Sequence, residues 1–325
     1  MRSEVMEFYG LTRSLRSAGY YETAHHKELL RDVKHAIYGG SLVVLSGVIG
    51  AGKTAAVAQL QAALEREDRV IVSTSVSIEK NLVAIGTLVT ALFCDLSTDK
   101  NPAIPKSGEL RDRALRNLVR KRKKPVVLFV DDAHDLNRNT LIALKRLIEL
   151  VEGGSTGAKL SVVLAGHPRL RNELRDTMME EVGYRTAIYS LEGVTGSQRE
   201  YMTWLIKTCS DGGVEIGDVL EPGAVDLLAA RLRTPLQIEQ HLTLALETGF
   251  QASEKPISEA IADSVLSKQI DGVEATLNRN GYTTKVLTEM LGVKPAELRA
   301  LFKHELGSDR ARDLKEQMLA AGLPV

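Results

Sequence analysis

The chain has 325 residues, and 44% of them are hydrophobic, which is enough for two or three packed units of a soluble globular protein. Its 42 Lys and Arg residues balance 42 Asp and Glu residues, so any nucleic-acid contact must come from local patches rather than from the net charge. Cys94 and Cys209 lie far apart and lack metal-type spacing, which indicates reduced thiols. With no signal-peptide or membrane-span pattern, we expect a cytoplasmic protein without a membrane partner.

Strand-like and helix-like segments alternate through the first half of the chain. The predicted strands are Leu42–Leu45, Arg69–Ser73, Val126–Val130 and Leu160–Leu164. The predicted helices are Thr23–Ile37, Thr54–Glu65, Asn81–Leu96, Glu109–Arg122 and Thr140–Val151. This alternation predicts an α/β fold with a parallel sheet covered by helices on both faces.

From about residue 197 the strand signals fade and helical signals continue. The predicted helices there are Ser197–Cys209, Pro222–Leu232, Pro235–Thr248 and Pro256–Ser267. Residues from about 271 to 325 read as a further helical unit. Within it, a helix over Tyr282–Leu291, a glycine turn and a helix over Pro295–His304 form a helix-turn-helix pattern.

A glycine-rich motif, G-x-x-x-x-G-K-[ST], follows the first predicted strand and opens the next helix. It consists of Gly47, Val48, Ile49, Gly50, Ala51, Gly52, Lys53 and Thr54. Glycines let the backbone N–H groups curl inward around phosphate oxygens, and the helix N-terminus adds roughly half a positive charge. Lys53 can reach the β- and γ-phosphates, and the Thr54 hydroxyl can ligate Mg²⁺. The motif therefore predicts ATP and Mg²⁺ as cofactors, against the alternative of a glycine turn that matches by chance.

Two carboxylates follow the buried strand Val126–Val130 directly. A charge at the end of a buried strand is costly without a partner, and Mg²⁺ suits a carboxylate. Asp131 is predicted to hold the metal, on a strand neighbouring the one that precedes the glycine motif. Asp132 is predicted to polarise the attacking water, although it could instead only cap the following helix.

The sequence resembles AAA+ ATPases of the group of ExeA and the transposon ATPases TniB and TnsC. The resemblance covers roughly residues 5 to 250. It is carried by the glycine motif together with Phe8-Tyr9-Gly10-Leu11, Val130-Asp131-Asp132-Ala133-His134 and Leu164-Ala165-Gly166-His167-Pro168-Arg169-Leu170. It implies a P-loop AAA+ core with its N-terminal segment in residues 1–195 and a helical lid in 196–268. The helix-turn-helix pattern described above predicts a small helical module in 269–325.

The resemblance also implies further site residues. His167 stands where relatives carry a polar sensor of the γ-phosphate, and Arg185 stands where an arginine reaches the nucleotide of the next subunit. Asp132 stands where many relatives carry Glu. Relatives often begin a lid helix with Gly-x-Pro-Arg, but here the stretch is Arg233-Thr234-Pro235-Leu236, so this arginine is absent. The resemblance then implies weak coupling of nucleotide to lid and slow hydrolysis, stimulated by a partner or by DNA.

Two basic patches are candidate contacts to double-stranded DNA, and for the first of them a solvated helix end is the default interpretation. The first lies at the end of a predicted helix and includes Arg120, Lys121, Arg122 and Lys123. The second lies in the helix-turn-helix pattern and includes Lys294, Arg299 and Lys303, although Glu297 argues against strong binding there. A helical module that binds a protein is the alternative for this tail.

Three functions are compatible with the sequence. The first is a DNA-associated AAA+ regulator that forms a homo-oligomeric ring or filament with ATP, recruits or activates a transposase and disassembles on hydrolysis. The second is a secretion-associated ATPase of the ExeA kind, which is disfavoured because those relatives carry a membrane span and a cell-wall-binding region. The third is a nucleotide-gated binding module with little turnover, which the missing lid arginine and Asp132 leave open.

Overall fold

The computed structural model describes most of the chain. The described residues are 1–75, 83–99, 102–133, 136–152, 158–174, 179, 182, 186–267, 273–279, 281–303 and 305–320. By its contacts the chain divides into two compact units. The sheet unit comprises Ala24–Gly47 and Lys53–Leu191, and the helical unit comprises Met1–Thr23, Val48–Gly52 and Glu192–Val325. The boundaries predicted for core, lid and tail remain a prediction.

Five strands form one parallel sheet in the sheet unit. They are β1 (Leu42–Gly47), β2 (Ile71–Thr74), β3 (Val126–Val130), β4 (Leu160–Gly166) and β5 (Thr186–Leu191). The helices that flank the sheet are α2 (Ala24–Gly39), α3 (Lys53–Glu67), α4 (Ile85–Leu96), α5 (Gly108–Arg122), α6 (Arg138–Glu152) and α7 (Pro168–Leu174). The predicted α/β class with a parallel sheet is confirmed.

The strand order in the sheet is β2-β3-β4-β1-β5, and every pairing is parallel. The strands that precede the glycine motif and the acidic pair are therefore not neighbours, because β4 lies between them. The expectation of adjacent strands was wrong in this respect. Since parallel strands all end at one edge of a sheet, the carboxyl ends of β1, β3 and β4 still lie at the same edge.

The central strands are buried along their whole length, as their uninterrupted apolar runs indicate. All residues of β1, β3 and β4 are buried, whereas the edge strand β2 is only partly buried. Large side chains from β3 and from α4 to α6 complete the core of the sheet unit. Leu92, Leu115 and Leu144 in these helices are fully buried.

The helical unit begins with a short helix, α1 (Ser3–Tyr9), and continues after the sheet unit. Its later helices are α8 (Gln198–Cys209), α9 (Pro222–Arg231), α10 (Pro235–Gln251), α11 (Glu259–Ser267), α12 (Val273–Arg279), α13 (Thr284–Leu291), α14 (Pro295–Phe302) and α15 (Ser308–Ala320). Helices α8 to α11 share one apolar core with α1, and α12 to α15 have a core of their own. None of the helices in the described part of the chain combines the length and apolar character that a membrane span needs.

Two predicted helix starts differ from the structure by three residues or more. Helix α11 begins at Glu259 rather than at Pro256, because Ile257 pairs with another segment of the helical unit. The Ile257 amide donates to the Val219 carbonyl at 2.8 Å, and the Ile257 carbonyl accepts the Glu221 amide at 2.9 Å. The helix predicted from Asn81 starts at Ile85 in the described part of the chain; residues 81 and 82 lie outside it.

Tyr9 links α1 to the segment that directly follows α10. It is fully buried, and its hydroxyl donates to the Glu254 carbonyl at 2.8 Å. Burial, with the Glu254 charge as the second cause, raises the pKa of Tyr9 to about 12, so the hydroxyl remains a donor at neutral pH. Gly249 permits this approach, because a Cβ there would overlap the Tyr9 hydroxyl and lie 3.1 Å from Ile257 Cγ1.

Gly249→Ala should destabilise the helical unit. We expect the free energy of unfolding in urea to fall by about 1–3 kcal/mol, the usual cost of overpacking, although alanine is the better helix former. Removing the hydroxyl in a Tyr9→Phe background should recover part of this stability. Gly217→Ala, whose Cβ would meet no atom within 4 Å, is the matched control. A Gly249→Ala protein as stable as wild type would contradict this packing.

Candidate functional site

The glycine motif forms the connection between β1 and α3, as predicted. Gly50 and Gly52 have φ angles of +78° and +94°, in the left-handed region that a glycine adopts without steric cost. Between them the Ala51 amide donates to the Val48 carbonyl at 3.2 Å, which closes a tight turn. Because α3 begins at Lys53, the loop ends at the N-terminus of a 15-residue helix.

Lys53 is 9% exposed and lies at the start of α3. Its ammonium group donates to the carbonyl of Gly47, the last residue of β1, at 2.8 Å. Burial lowers the pKa of Lys53, and the nearby carboxylates of Asp131 and Asp132 partly offset this effect. The three charged groups of the predicted site in the sheet unit therefore lie within electrostatic range of one another.

Thr54 and Asp131 are in direct contact. The Thr54 hydroxyl donates to Asp131 Oδ2 at 2.7 Å, and the other carboxylate oxygen, Oδ1, accepts the Asp132 amide at 2.8 Å. The two predicted metal ligands thus place two oxygen atoms side by side, and the carboxylate is held in one orientation by two hydrogen bonds. Oxygen donors of this kind are those that Mg²⁺ prefers.

Asp132 has a left-handed backbone, with φ of +50°. Asp and Asn adopt this region far more readily than residues with longer or branched side chains. The turn after β3 thus favours Asp over Glu at this position. Asp132 is partly exposed, and its charge lies near enough to Lys53 to affect the pKa of that ammonium.

His167 follows β4 directly, and β4 lies between β1 and β3. The residue is 9% exposed, and its carbonyl accepts the Leu170 amide at 2.9 Å in the first turn of α7. The topology therefore brings His167 to the edge of the sheet at which Thr54 and Asp131 meet. Two other residues named from the sequence, Arg185 and His134, lie outside the described residues.

The first turn of α10 makes a contact that the sequence did not predict. Leu236, in the first turn of α10, donates its amide to the Gly50 carbonyl at 3.4 Å. A Cβ on Gly50 would lie 2.5 Å from Leu236 Cβ and 3.2 Å from the Thr234 hydroxyl. In the sequence, this position stood out only because Leu236 follows Pro235 where the resembled group often carries arginine.

The structure divides the first basic patch into structural and exposed members. Arg122 is half-buried and donates from Nε to the Leu96 carbonyl at 2.7 Å and from its second nitrogen to the same oxygen. The guanidinium caps the end of α4, and the DNA contact of Arg122 stays a prediction. Arg120 is half-buried, whereas Lys121 and Lys123 are exposed.

In the second patch, all three candidate cations are exposed. Lys294 precedes α14, Arg299 lies on it and Lys303 follows it. Glu297, which argued against DNA binding, forms an ion pair with Arg310 at 2.6 Å. Its negative charge is thereby compensated within the tail.

Comparison with known proteins identifies the domain that contains the site. Residues 35–174 match the family model of an AAA domain. No sequence relative was found among curated proteins.

Several solved structures are similar over most of the chain. The Cdc6p structure from Pyrobaculum aerophilum has a TM-score of 0.51 and 16% identity, over 98% of this chain and 85% of that one. The ORC1 protein from Aeropyrum pernix in complex with DNA gives 0.51 and 15%, over 96% and 88%. Drosophila ORC bound to DNA gives 0.51 and 13%, over 99% and 79%. At these identities the likeness establishes the fold alone, and the family match covers residues 35–174, less than half of the chain.

Proposed function

We propose that this protein is an ATP-dependent, DNA-associated AAA+ regulator. It oligomerises with ATP, recruits or activates a transposase, and disassembles on hydrolysis. The observation that carries the nucleotide part is the 2.7 Å hydrogen bond from the Thr54 hydroxyl to Asp131 at the start of α3.

The residues present fit ATP and Mg²⁺. The left-handed backbone at Gly50 and Gly52 is the kind of loop whose N–H groups can bind phosphate, and Lys53 would supply a buried cation for the β- and γ-phosphates. Thr54 and Asp131 would hold the metal, directly or through water. When bound, Mg²⁺ would neutralise the charge that develops on the phosphates.

Hydrolysis requires a base for the attacking water, and Asp132 is our candidate. Its charge lies near enough to Lys53 to affect the pKa of that ammonium, and it follows the proposed metal ligand Asp131 in sequence. His167 at the end of β4 is the proposed γ-phosphate sensor, because it can donate a hydrogen bond from the same edge of the sheet. Arg185 remains the proposed finger to the neighbouring subunit, on the basis of the family resemblance.

DNA association is supported by exposed cations and by the chemistry of similar folds. Lys121 and Lys123 in the sheet unit and Lys294, Arg299 and Lys303 in the tail are exposed. Exposed lysines and arginines bind the phosphate backbone without sequence preference. Two of the similar solved structures contain DNA, which favours this proposal over a purely protein-binding tail.

The nucleotide site is tested by Lys53→Met. We expect the Kd for ATP to rise by roughly 100-fold, because a charge-assisted hydrogen bond contributes about 2–3 kcal/mol. Isothermal titration calorimetry measures this change, and Lys121→Met is the exposed control. Unchanged ATP affinity in Lys53→Met would remove the basis of the assignment.

The same variant should remain folded. Folding lowers the pKa of Lys53, so the unfolded chain binds the proton more tightly, and the buried ammonium destabilises the fold at pH values below its folded pKa. This cost decreases as the pH rises above the folded pKa and is gone above the unfolded pKa. At pH 7 we expect the free energy of unfolding of Lys53→Met to change by less than about 1 kcal/mol, because the missing hydrogen bond and the removed buried charge oppose each other.

The catalytic role is tested by Asp132→Asn. Asparagine accepts the left-handed backbone, so the turn is retained while the base is removed. We expect phosphate release to fall by at least about 100-fold, with ATP affinity within a few-fold of wild type. Asp99→Asn, at an exposed position of the same unit, is the control. Turnover independent of Asp132, or no turnover in wild type with DNA present, would favour another base or a gated binding module.

The DNA contacts are tested by two sets of variants. A triple change of Lys294, Arg299 and Lys303 to Ala should weaken binding to a double-stranded probe. It should also flatten the dependence of log affinity on log salt by roughly 0.9 for each phosphate that the variant no longer neutralises. Lys121→Ala with Lys123→Ala tests the other patch. Fluorescence anisotropy with a slowly hydrolysed ATP analogue measures both. If wild type shows no DNA association at low salt, the DNA part of the proposal is wrong.

A further inference from the structure

The first turn of α10 is a rigid element. Thr234, which is 3% exposed, caps the helix: its hydroxyl accepts the Gln237 amide at 3.2 Å. In return, the Gln237 side-chain oxygen accepts the amides of Arg233 and Thr234 at 3.1 and 3.3 Å. Pro235 at the first helical position has a fixed φ that suits this start. The turn therefore has a defined backbone before any ligand arrives.

A second segment of the helical unit holds this turn in place. The Arg233 carbonyl accepts the Val194 amide at 3.1 Å. Gly193, with φ of +69°, allows the close approach, because a Cβ there would lie 2.8 Å from the Arg233 carbonyl oxygen. A displacement of the first turn of α10 would break this hydrogen bond as well.

The rigid turn contacts the glycine loop through Leu236. The Leu236 amide donates to the Gly50 carbonyl at 3.4 Å, and the space of a Gly50 side chain is filled by Leu236 Cβ and Cδ2, at 2.5 and 3.0 Å from the Cβ position. Gly50 lies in the loop whose N–H groups are proposed to surround phosphate. A change of the loop backbone at Gly50 therefore moves atoms that are packed against Leu236.

We propose that Leu236 is a positioning residue that couples the shape of the phosphate loop to the first turn of α10. It has no charge to offer a nucleotide, so it acts through the position of Gly50 rather than through contact with phosphate. This inference rests on the proposed nucleotide function. It replaces the expectation of weak coupling, which followed from the missing arginine, with coupling by packing.

Thermodynamic linkage makes the proposal quantitative. If the Leu236 contact favours the loop shape that binds phosphate, then bound nucleotide must stabilise the contact by the same factor. Couplings of this kind are commonly about fivefold or more. The Leu236 amide is a direct reporter, because its hydrogen bond to Gly50 exists only while the loop and the turn are together.

The experiment combines hydrogen–deuterium exchange with calorimetry on the full chain. In wild type, ADP or a slowly hydrolysed ATP analogue should slow exchange in a peptide that covers residues 234–240. In Leu236→Ala this slowing should disappear, and the Kd for the same nucleotide should rise by a similar factor, about fivefold. Leu236→Val, which keeps more of the packing, should give an intermediate result and serves if the alanine variant does not fold.

Leu244→Ala is the matched control, since Leu244 is a partly buried leucine of the same helix. It should retain both the nucleotide affinity and the slowed exchange. If wild type binds nucleotide while Leu236→Ala and Leu236→Val keep wild-type affinity and protection, this inference alone is overturned. If wild type binds no nucleotide, the proposed function fails and the inference fails with it.

Discussion

The hydrogen bond between Thr54 and Asp131 is the interaction on which the site depends. It joins the first turn of α3 to the end of β3, although β4 separates β3 from β1 in the sheet. Because this bond spans the position of a third strand, it sets the distance between the start of α3 and the acidic pair. The charge environment of Lys53 follows from that distance.

The sequence predicted elements best where burial is continuous. The bounds of β3 were predicted to the residue, because Val126–Val130 is an apolar run between Pro125 and the charged Asp131. Helix α1 was missed, since it has only seven residues and no side-chain cap. It is held by burial of Val5 and Tyr9 against distant residues of the helical unit, which no local pattern encodes. The order of the strands could not be predicted from the sequence either, because a crossover connection between parallel strands can place the next strand beside any of several others.

The features of the candidate site likewise separate into those that the sequence could predict and those that it could not. The glycine loop and Asp131 were predictable because their chemistry needs fixed spacing within short motifs. The contact of Leu236 with Gly50 and the capping of the Leu96 carbonyl by Arg122 were not, because each joins residues distant in the chain. The sequence also could not show that Lys121 is exposed, whereas the neighbouring Arg122 is half-buried and donates to the Leu96 carbonyl.

The left-handed backbone at Asp132 restricts which residues this position can accept over evolutionary time. Asparagine and glycine fit the turn but abolish the acid, while glutamate keeps the acid but fits the turn poorly. A lineage that gained the longer carboxylate would need a compensating change in the backbone after β3. Aspartate is therefore the acidic residue that the backbone of this turn accepts most readily. The fold thereby limits the length of the acidic side chain at this position.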